Sequence, residues 1–576
     1  MNRSRCKKKG DLGTNFTNFF RPKFQHFSKK EEFPLQKICK KTIVFTDKNS
    51  TGPVFFADWV SQGLIPLIIC SGLSDRNERS TENPDKLMPA ETSLHQLNRL
   101  QRSFRPVCQR ASGSRRQHER QDQHLAVNRG MPRVRSFFIA RHSSLSRAFI
   151  AVALLLAHAD QGMSEWPQWR GPLGTGVAPN SNPPTEWDSE NNHRWKTKID
   201  GEGHSTPIVS DDLIFVTTAV PIGPALAPRA SGRPGAHDNR MVTSMYEFQA
   251  WAIDLKTGAV QWKKTLTRAI PLEGGHNTAS LASASPVTDG ERFFAYFGSH
   301  GLYCLNREGE VLWKKDLGKM HTKHGHGEGA SPALHGNTIV VNWDHEGDSF
   351  LAAFNTSNGL QRWRVERNEV TSWSTPVITT VDGEPQVIVC GTDKIRGYRL
   401  LNGQVIWECG GMSANIVATP LVSDGILYAG SSYEKRILMA IRLAEAQGDI
   451  TDTEHVLWSR FRGTPYVPSP LIYKDALYFL THYQNVLTRI NAKTGTDYPG
   501  AFRLGPLTNI YASPVAANGN LYITDLDGQT LVMTATEIPR ALSLNPIGEP
   551  VSASLAVVGS VILIRGAEHL HCIGER

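Results

Sequence analysis

Residues able to bind a ligand recur at one kind of position in this sequence. Each stands shortly before a segment that opens with a small residue, Ser or Thr, and proline. These residues are His204, His276, His326, Glu328, Trp373, Asn415, Tyr466 and Tyr511. Imidazole, carboxyl, amide and aromatic groups around one opening suit a small molecule or a peptide. The sequence therefore predicts a binding site at these residues if the fold gathers them, and it predicts no catalytic residue.

Two short segments raise the question of a metal ion. HTKHGHGEG holds His321, His324 and His326, which could ligate zinc, although the alternating glycines favour a flexible hydrogen-bonding loop. NWDHEGDSF holds Asp344, Glu346 and Asp348, which alternate as in some calcium loops but lack the spacing of an EF-hand. A tight hairpin is the alternative there. The flexible loop and the hairpin are the preferred interpretations of the two segments, ahead of zinc and calcium binding.

Other catalytic chemistry finds no support in the sequence. There is no Ser-His-Asp order, nucleophile elbow or phosphate loop. The eight cysteines form no C-x-x-C pair and no two are adjacent. Cys304, Cys390, Cys409 and Cys572 are predicted to be buried thiols, with a disulfide as the alternative.

A repeat supplies the elements that must position these residues. The prolines recur at intervals near 44 residues, and a degenerate eighth copy has leucine in that place: Pro207, Pro286, Pro332, Pro376, Pro420, Pro470, Pro514 and Leu555. A period near 44 with four short strands per unit is typical of propeller blades. The long first interval contains a Pro/Gly/Ala-rich stretch, 221–248, that is predicted to be a loop.

The predicted fold is an all-β, eight-bladed propeller closed by an N-terminal strand. The strand around Trp195 precedes the first repeat and should complete the last blade, which avoids two bare sheet edges. A tryptophan also recurs near the end of each unit and should wedge between neighbouring blades as a structural residue. These residues are Trp195, Trp262, Trp313, Trp363, Trp407 and Trp458.

Charge divides the chain into two parts. Residues 1–159 hold 28 Lys and Arg against 12 Asp and Glu, which leaves 35 basic and 42 acidic residues for the rest. The predicted propeller is therefore acidic, and a nucleic-acid partner is not expected. Residues 131–159 have the layout of a secretory signal peptide, with a basic start, the apolar run 148–157 and an A-x-A site ending at Ala159. Residues 1–130 are predicted to be a disordered or misassigned extension, and 160–576 to be the exported propeller.

The repeats also resemble a known family. The segment IDLKTGAVQW and the Ser-Pro-led strands are similar to the pyrroloquinoline-quinone (PQQ) repeat over residues 166–576, as in exported bacterial PQQ-like propellers. More remotely, the chain resembles the BamB-type scaffold of outer-membrane assembly and the quinoprotein alcohol dehydrogenases. The resemblance to quinoprotein alcohol dehydrogenases implies PQQ and a Ca²⁺ ion held by Glu, Asn and Asp. It also implies a tryptophan stacked under the cofactor and, in many members, a disulfide between adjacent cysteines.

The predicted function is that of an exported, non-enzymatic binding or scaffold protein. We expect a monomer in the periplasm or outside the cell, not spanning a membrane, that binds an envelope protein or a small ligand at the channel face. No cofactor is predicted. The alternatives are a PQQ- and Ca²⁺-dependent alcohol or sugar dehydrogenase and an enzyme acting on polysaccharide.

Overall fold

A computed structural model describes residues 165–481, 485–500 and 502–575, all within the unit Pro132–Arg576. The predicted extension 1–130 and signal peptide 131–159 lie outside these residues. The described chain forms eight sheets of mainly antiparallel strands arranged as a ring of blades, with two short 3₁₀ segments, Gly298–His300 and Lys323–Gly325, and no α-helix. The prediction of an all-β, eight-bladed propeller is confirmed.

The strands are numbered in chain order. The first two, which precede the repeats, are β1 (Val177–Ala178) and β2 (His193–Lys198). Blade 1 contains β3 (Ile208–Ser210), β4 (Leu213–Ile222), β5 (Met245–Asp254) and β6 (Val260–Ala269). Blade 2 contains β7 (Val287–Thr288), β8 (Arg292–Tyr296), β9 (Leu302–Asn306) and β10 (Val311–Lys315). Blade 3 contains β11 (Ala333–His335), β12 (Thr338–Trp343), β13 (Ser349–Asn355) and β14 (Gln361–Arg367).

The next two blades share an extra short strand. Blade 4 contains β15 (Val377–Val381), β16 (Glu384–Cys390), β17 (Lys394–Arg399) and β18 (Val405–Gly410). Blade 5 contains β19 (Leu421–Ser423), β20 (Ile426–Ser431), β21 (Ile437–Arg442) and β23 (Val456–Arg460). The short β22 (Gly448–Asp449), from the connection between β21 and β23, pairs in parallel with β18 of blade 4.

The last three blades complete the ring. Blade 6 contains β24 (Leu471–Tyr473), β25 (Ala476–Leu480), β26 (Val486–Asn491) and β27 (Phe502–Arg503). Blade 7 contains β28 (Val515–Ala517), β29 (Asn520–Thr524), β30 (Gln529–Thr534) and β31 (Ala541–Pro546). Blade 8 contains β32 (Ala556–Val558), β33 (Val561–Arg565) and β34 (His569–Ile573), with β2 as its outermost strand.

The ring closes through β2, as predicted from the Trp195 segment. This strand pairs antiparallel with β34, and Trp195 lies opposite Cys572. The last blade is therefore assembled from both ends of the described chain, and pairing β2 removes the free sheet edge that an open ring would leave.

Tryptophan rings join neighbouring blades along the outer strands. The Trp313 indole N–H donates to the carbonyl oxygen of Thr356 in the next blade at 2.8 Å. A Cβ on Gly359 would lie only 2.7 Å from the same ring, so glycine is needed there. Five of the six predicted tryptophans dock in this way on a glycine of the following blade: Trp195 on Gly258, Trp262 on Gly309, Trp313 on Gly359, Trp363 on Gly403 and Trp458 on Gly495.

Trp407 departs from this pattern. Its indole N–H donates to the side-chain oxygen of Gln386 at 3.0 Å, and its ring lies over Gly397 of its own blade. The physical reason is the connection between β21 and β23 of blade 5. This connection is long and carries β22, so it presents no tight glycine turn to the ring.

A belt of hydroxyl groups joins the blades on the channel side. The residue before each repeat proline donates its backbone N–H to the hydroxyl of the corresponding residue in the next blade, at 2.9–3.1 Å. The belt runs through Thr206, Ser285, Ser331, Thr375, Thr419, Ser469, Ser513 and Ser554. Among the described residues it is interrupted once, between Ser554 and Thr206, where the Thr206 hydroxyl has no hydrogen-bond partner. The Ser/Thr of each repeat thus ties adjacent blades together.

Two local predictions can now be refined. The insertion in blade 1 is shorter than the predicted loop 221–248, because β4 and β5 extend into both of its ends and pair Ile222 with Met245. The four cysteines of the described chain are free and buried.

Among the described residues there is no helix long and apolar enough to span a membrane.

Candidate ligand-binding site

The eight predicted binding residues line one cavity. The loops that enter the innermost strands of all eight blades meet at one end of the channel, around a space of about 360 Å³. All of His204, His276, His326, Glu328, Trp373, Asn415, Tyr466 and Tyr511 lie in its wall. The structure thus brings the set together, and ligand binding by these residues stays a prediction.

The segment 166–170, which precedes the repeats, crosses the channel beneath this cavity. Trp166 pairs with Val209 of blade 1, and the Pro167 carbonyl accepts the backbone N–H of Thr288 in blade 2. On the far side, the buried Arg170 guanidinium donates to the carbonyl oxygens of Pro514 at 2.7 Å and Pro470 at 2.9 Å. This segment therefore spans from blades 1 and 2 to blades 6 and 7. Its Trp169 lines the cavity.

Four histidines form one wall. The His326 ring lies 4.8 Å from His237, 5.0 Å from His276 and 5.4 Å from His324, measured between ring centroids. The Nδ1 atoms of the outer three are engaged locally, by Gly235 O at 2.8 Å, Thr278 Oγ1 at 2.7 Å and Pro234 O at 3.1 Å. Burial, and next the neighbouring histidines, lower the pKa of His326 to about 4. This ring is therefore neutral at physiological pH.

His204 lines the cavity from the loop that enters blade 1. Burial lowers its pKa to about 4, and the positive charge of Arg240 adds to the effect. Its neutral imidazole can donate or accept a hydrogen bond without carrying charge.

Glu328 separates the cavity from a smaller chamber of about 40 Å³. Its carboxyl oxygens accept the backbone N–H of Ser299 at 2.6 Å and the Ser299 hydroxyl at 2.5 Å. Burial raises the pKa of Glu328 to about 7, although both hydrogen bonds oppose that shift. Because both carboxyl oxygens accept hydrogen bonds from Ser299, the Glu328 side chain is fixed in the cavity wall.

Aromatic rings supply flat surfaces on the remaining sides. The Trp373 indole N–H donates to Gly327 O at 2.7 Å, which fixes the ring at the cavity wall. Tyr466 stacks on Tyr433 with ring centroids 5.9 Å apart and planes inclined by 15°. The Tyr433 side chain is 46% exposed and forms the outer lip.

The residues considered for metal binding are held by separate partners. His321 Nδ1 lies 3.6 Å from a Glu273 oxygen, and His324 faces Pro234 O. Asp344 is buried in a two-point ion pair with Arg367 at 2.7 and 2.9 Å. Glu346 accepts the Thr371 hydroxyl at 2.8 Å, and Asp348 is exposed. Zinc or calcium at these residues stays an untested alternative.

Sequence reasoning missed several residues of the cavity. His237 and Asp238 come from the blade 1 insertion, Trp169 from the channel-crossing segment and Tyr433 from the hairpin between β20 and β21. Their signal was present only indirectly. The motif WPQWRGP can be recognised in the sequence, but the repeat pattern does not place it in the propeller. The blade 1 insertion is long enough to reach over the channel, but its length does not say which residues face the cavity.

The residues present do not fit pyrroloquinoline quinone. That cofactor carries three carboxylates, yet the described lining contains no Lys or Arg, while it contains Asp238 and Glu328. The two histidines with a pKa near 4 are neutral and do not offset this charge. The adjacent cysteine pair of many quinoprotein dehydrogenases is also missing from the sequence.

Comparison with known proteins gives a class at the level of the fold. A family model described as outer membrane protein assembly factor BamB matches residues 247–498, less than half of the chain. A europium-containing methanol dehydrogenase has a similar structure, with 10% identity over 72% of this chain and 92% of that one and a TM-score of 0.50. BamB from Moraxella catarrhalis shares 13% identity over 62% of this chain and 98% of its own, with a TM-score of 0.42.

None of the curated proteins compared with the sequence is a match. The chain is a β-propeller, as the repeat motifs predicted; its residues 247–498 match the BamB family model, and its fold is similar to that of the europium-containing methanol dehydrogenase.

Proposed function

We propose that this chain is a non-enzymatic binding or scaffold protein of the cell envelope. Its channel-face cavity would receive a small ligand or a segment of an envelope partner. The observation that carries the proposal is the convergence of loops from all eight blades on one cavity whose floor is crossed by the segment 166–170. A concave wall of aromatic and neutral polar groups above such a floor is typical of binding sites.

The envelope location has two supports. Residues 131–159 carry the sequence layout of a secretory signal peptide. The family model that matches residues 247–498 is described by the name of an outer-membrane assembly factor.

The character of the wall favours binding over catalysis. Among the described lining residues, Glu328 is the carboxyl group whose pKa burial raises, but both of its oxygens are engaged by Ser299. A tricarboxylate quinone meets no Lys or Arg among the described lining residues. The proposal therefore ranks a dehydrogenase and a polysaccharide-acting enzyme below a binding protein.

Site-specific photo-crosslinking in cells that express the full chain tests the proposal. A crosslinker at Tyr433, on the outer lip, should give a discrete adduct with an envelope component. The control position is Leu401, which is 76% exposed in the turn between β17 and β18, at the opposite end of its blade. The Tyr433 adduct should weaken when Trp373→Ala is added.

Two results would contradict the proposal. One is an identical set of adducts from positions 433 and 401. The other is dye-linked alcohol oxidation by the purified chain with PQQ and Ca²⁺, together with a rise in the unfolding midpoint, because a ligand that binds only the folded state must raise that midpoint.

A further inference from the structure

Three side chains of blade 8 converge outside the channel-face cavity. Glu549 Oε1 lies 3.0 Å from His569 Nδ1 and 2.5 Å from His571 Nε2. Among the described residues, this is the group of three possible metal ligands whose ligand atoms all lie within 4.8 Å of one another. None of the three side chains lines the cavity, so this site is independent of the proposed function.

The local fold explains the convergence. His569 and His571 are two residues apart on β34, and alternate residues of a strand share one face. Glu549 stands in the loop between β31 and β32, and its other oxygen accepts the backbone N–H groups of Glu568 at 2.5 Å and His569 at 3.2 Å. A Cβ on Gly566 would lie 2.4 Å from the Glu549 carboxyl carbon, so glycine leaves room for the carboxyl group.

His193 of β2 completes the arrangement from the closing strand. Its Nε2 lies 3.2 Å from His571 Nδ1, and the two rings stack with centroids 5.2 Å apart. A hydrogen bond to the far nitrogen of a ligating histidine fixes its orientation and is characteristic of metal sites. His571 is thus oriented from one side while its Nε2 faces Glu549.

We propose that Glu549, His569 and His571 bind a divalent transition-metal ion, with Zn²⁺ as the preferred probe. Two imidazole nitrogens and one carboxylate oxygen form a ligand set that zinc accepts. Tetrahedral ligands at 2.0–2.1 Å from zinc are about 3.3 Å apart. The N–O separations of 3.0 and 2.5 Å therefore need to widen by about 0.3 and 0.8 Å, which small side-chain rotations can supply. The fourth position would lie toward the partly exposed His569, where water can enter.

The position of the site gives the ion a structural consequence. It would tie the loop before β32 to β34, the strand that pairs with β2 to close the ring. Because an ion that binds only the folded state stabilises it, Zn²⁺ should raise the unfolding midpoint.

The test uses the full chain stripped with a chelator and titrated with Zn²⁺ and with Co²⁺. We expect one equivalent with a visible Co²⁺ spectrum of a four-coordinate N/O site. Glu549→Gln and His569→Gln should each weaken that equivalent by at least about 10- to 100-fold, since the loss of an outer-shell partner alone costs that much. His324→Gln with His326→Gln is the matched control, since it removes histidines from the cavity and should leave the blade 8 equivalent unchanged.

Circular dichroism of each variant checks that it folds, and the Co²⁺ spectrum reports ligation independently of stability. The proposal is overturned if no equivalent binds to the wild-type chain. It is also overturned if Glu549→Gln and His569→Gln bind Zn²⁺ as the wild type does, or if the only bound equivalent is lost in the cavity control.

Discussion

The hydroxyl belt and the cavity above it are built by neighbouring residues of the same loops, yet they differ in regularity. The belt uses Ser or Thr in all eight blades and forms the same N–H to hydroxyl bond seven times. The cavity wall uses histidine at blades 1 to 3, tryptophan at blade 4, asparagine at blade 5 and tyrosine at blades 6 and 7. Positions that repeat hold the ring together, and positions that vary a few residues away shape the site.

The two kinds of tryptophan offer the strongest test of this contrast. Trp313 docks between blades 2 and 3, so Trp313→Ala should lower the free energy of unfolding by about 3–5 kcal/mol. Trp373→Ala at the half-buried cavity wall should cost under about 2 kcal/mol and should instead impair binding. Chemical denaturation of both variants measures the difference. Equal losses of unfolding free energy would contradict the distinction between a tryptophan that joins blades and one that lines the cavity.

Glycines under the docked rings sharpen the same point. Gly359 has a φ of +66° and faces Trp313, so Gly359→Ala adds a clash to backbone strain and should cost about 2–4 kcal/mol. Gly383 has a φ of +82° with no atom near its Cβ position. Gly383→Ala should therefore cost only about 1 kcal/mol. Denaturant midpoints would separate the two, and a Gly383→Ala loss as large as that of Gly359→Ala would argue against the docking role.

The interruption in the belt provides an internal control. Thr375→Val removes the acceptor of the Ser331 N–H and leaves a buried donor unpaired, which should cost about 1–3 kcal/mol. Thr206→Val removes a buried hydroxyl without a hydrogen-bond partner and should be neutral or slightly stabilising. If both substitutions shift the thermal midpoint equally, the belt contributes nothing specific.

A dependence of stability on pH is expected from the cavity histidines. His204 and His326 have pKa values of about 4 in the folded chain, while an unfolded chain binds those protons near pH 6.5. The unfolded state therefore binds more protons between these values, and stability falls as the pH is lowered from about 6.5 towards 4. His204→Gln and His326→Gln should flatten this slope of unfolding free energy against pH. An unchanged slope in both cavity variants would contradict the burial effect.

The ring could be predicted from the sequence because each blade repeats the same pattern of strand and turn residues. Eight strand-opening triplets and the orphan Trp195 strand sufficed for blade number and closure, and both are confirmed. Trp407 shows the limit, since its position in the repeat was regular but blade 5 offers no glycine turn to dock on.

The cavity was only partly predictable for the opposite reason. His276 and Tyr511 could be located because they stand next to a repeat landmark. His237 lies in an insertion, and Trp169 precedes the repeats, so no period placed them. The reason for Ser or Thr before each proline also stayed hidden, because a hydrogen bond between neighbouring blades leaves no mark in one repeat.

The segment that crosses the channel also constrains the order of folding. Arg170 binds the Pro514 carbonyl across a separation of 344 residues. A chain made from its N-terminus must therefore hold this segment available until blade 7 has emerged, and only then can the segment be enclosed. Contacts of such long range slow folding, since the entropy of loop closure is lost before they form. The floor of the cavity is consequently among the last parts of the propeller to be completed, although its residues precede all eight repeats in the chain.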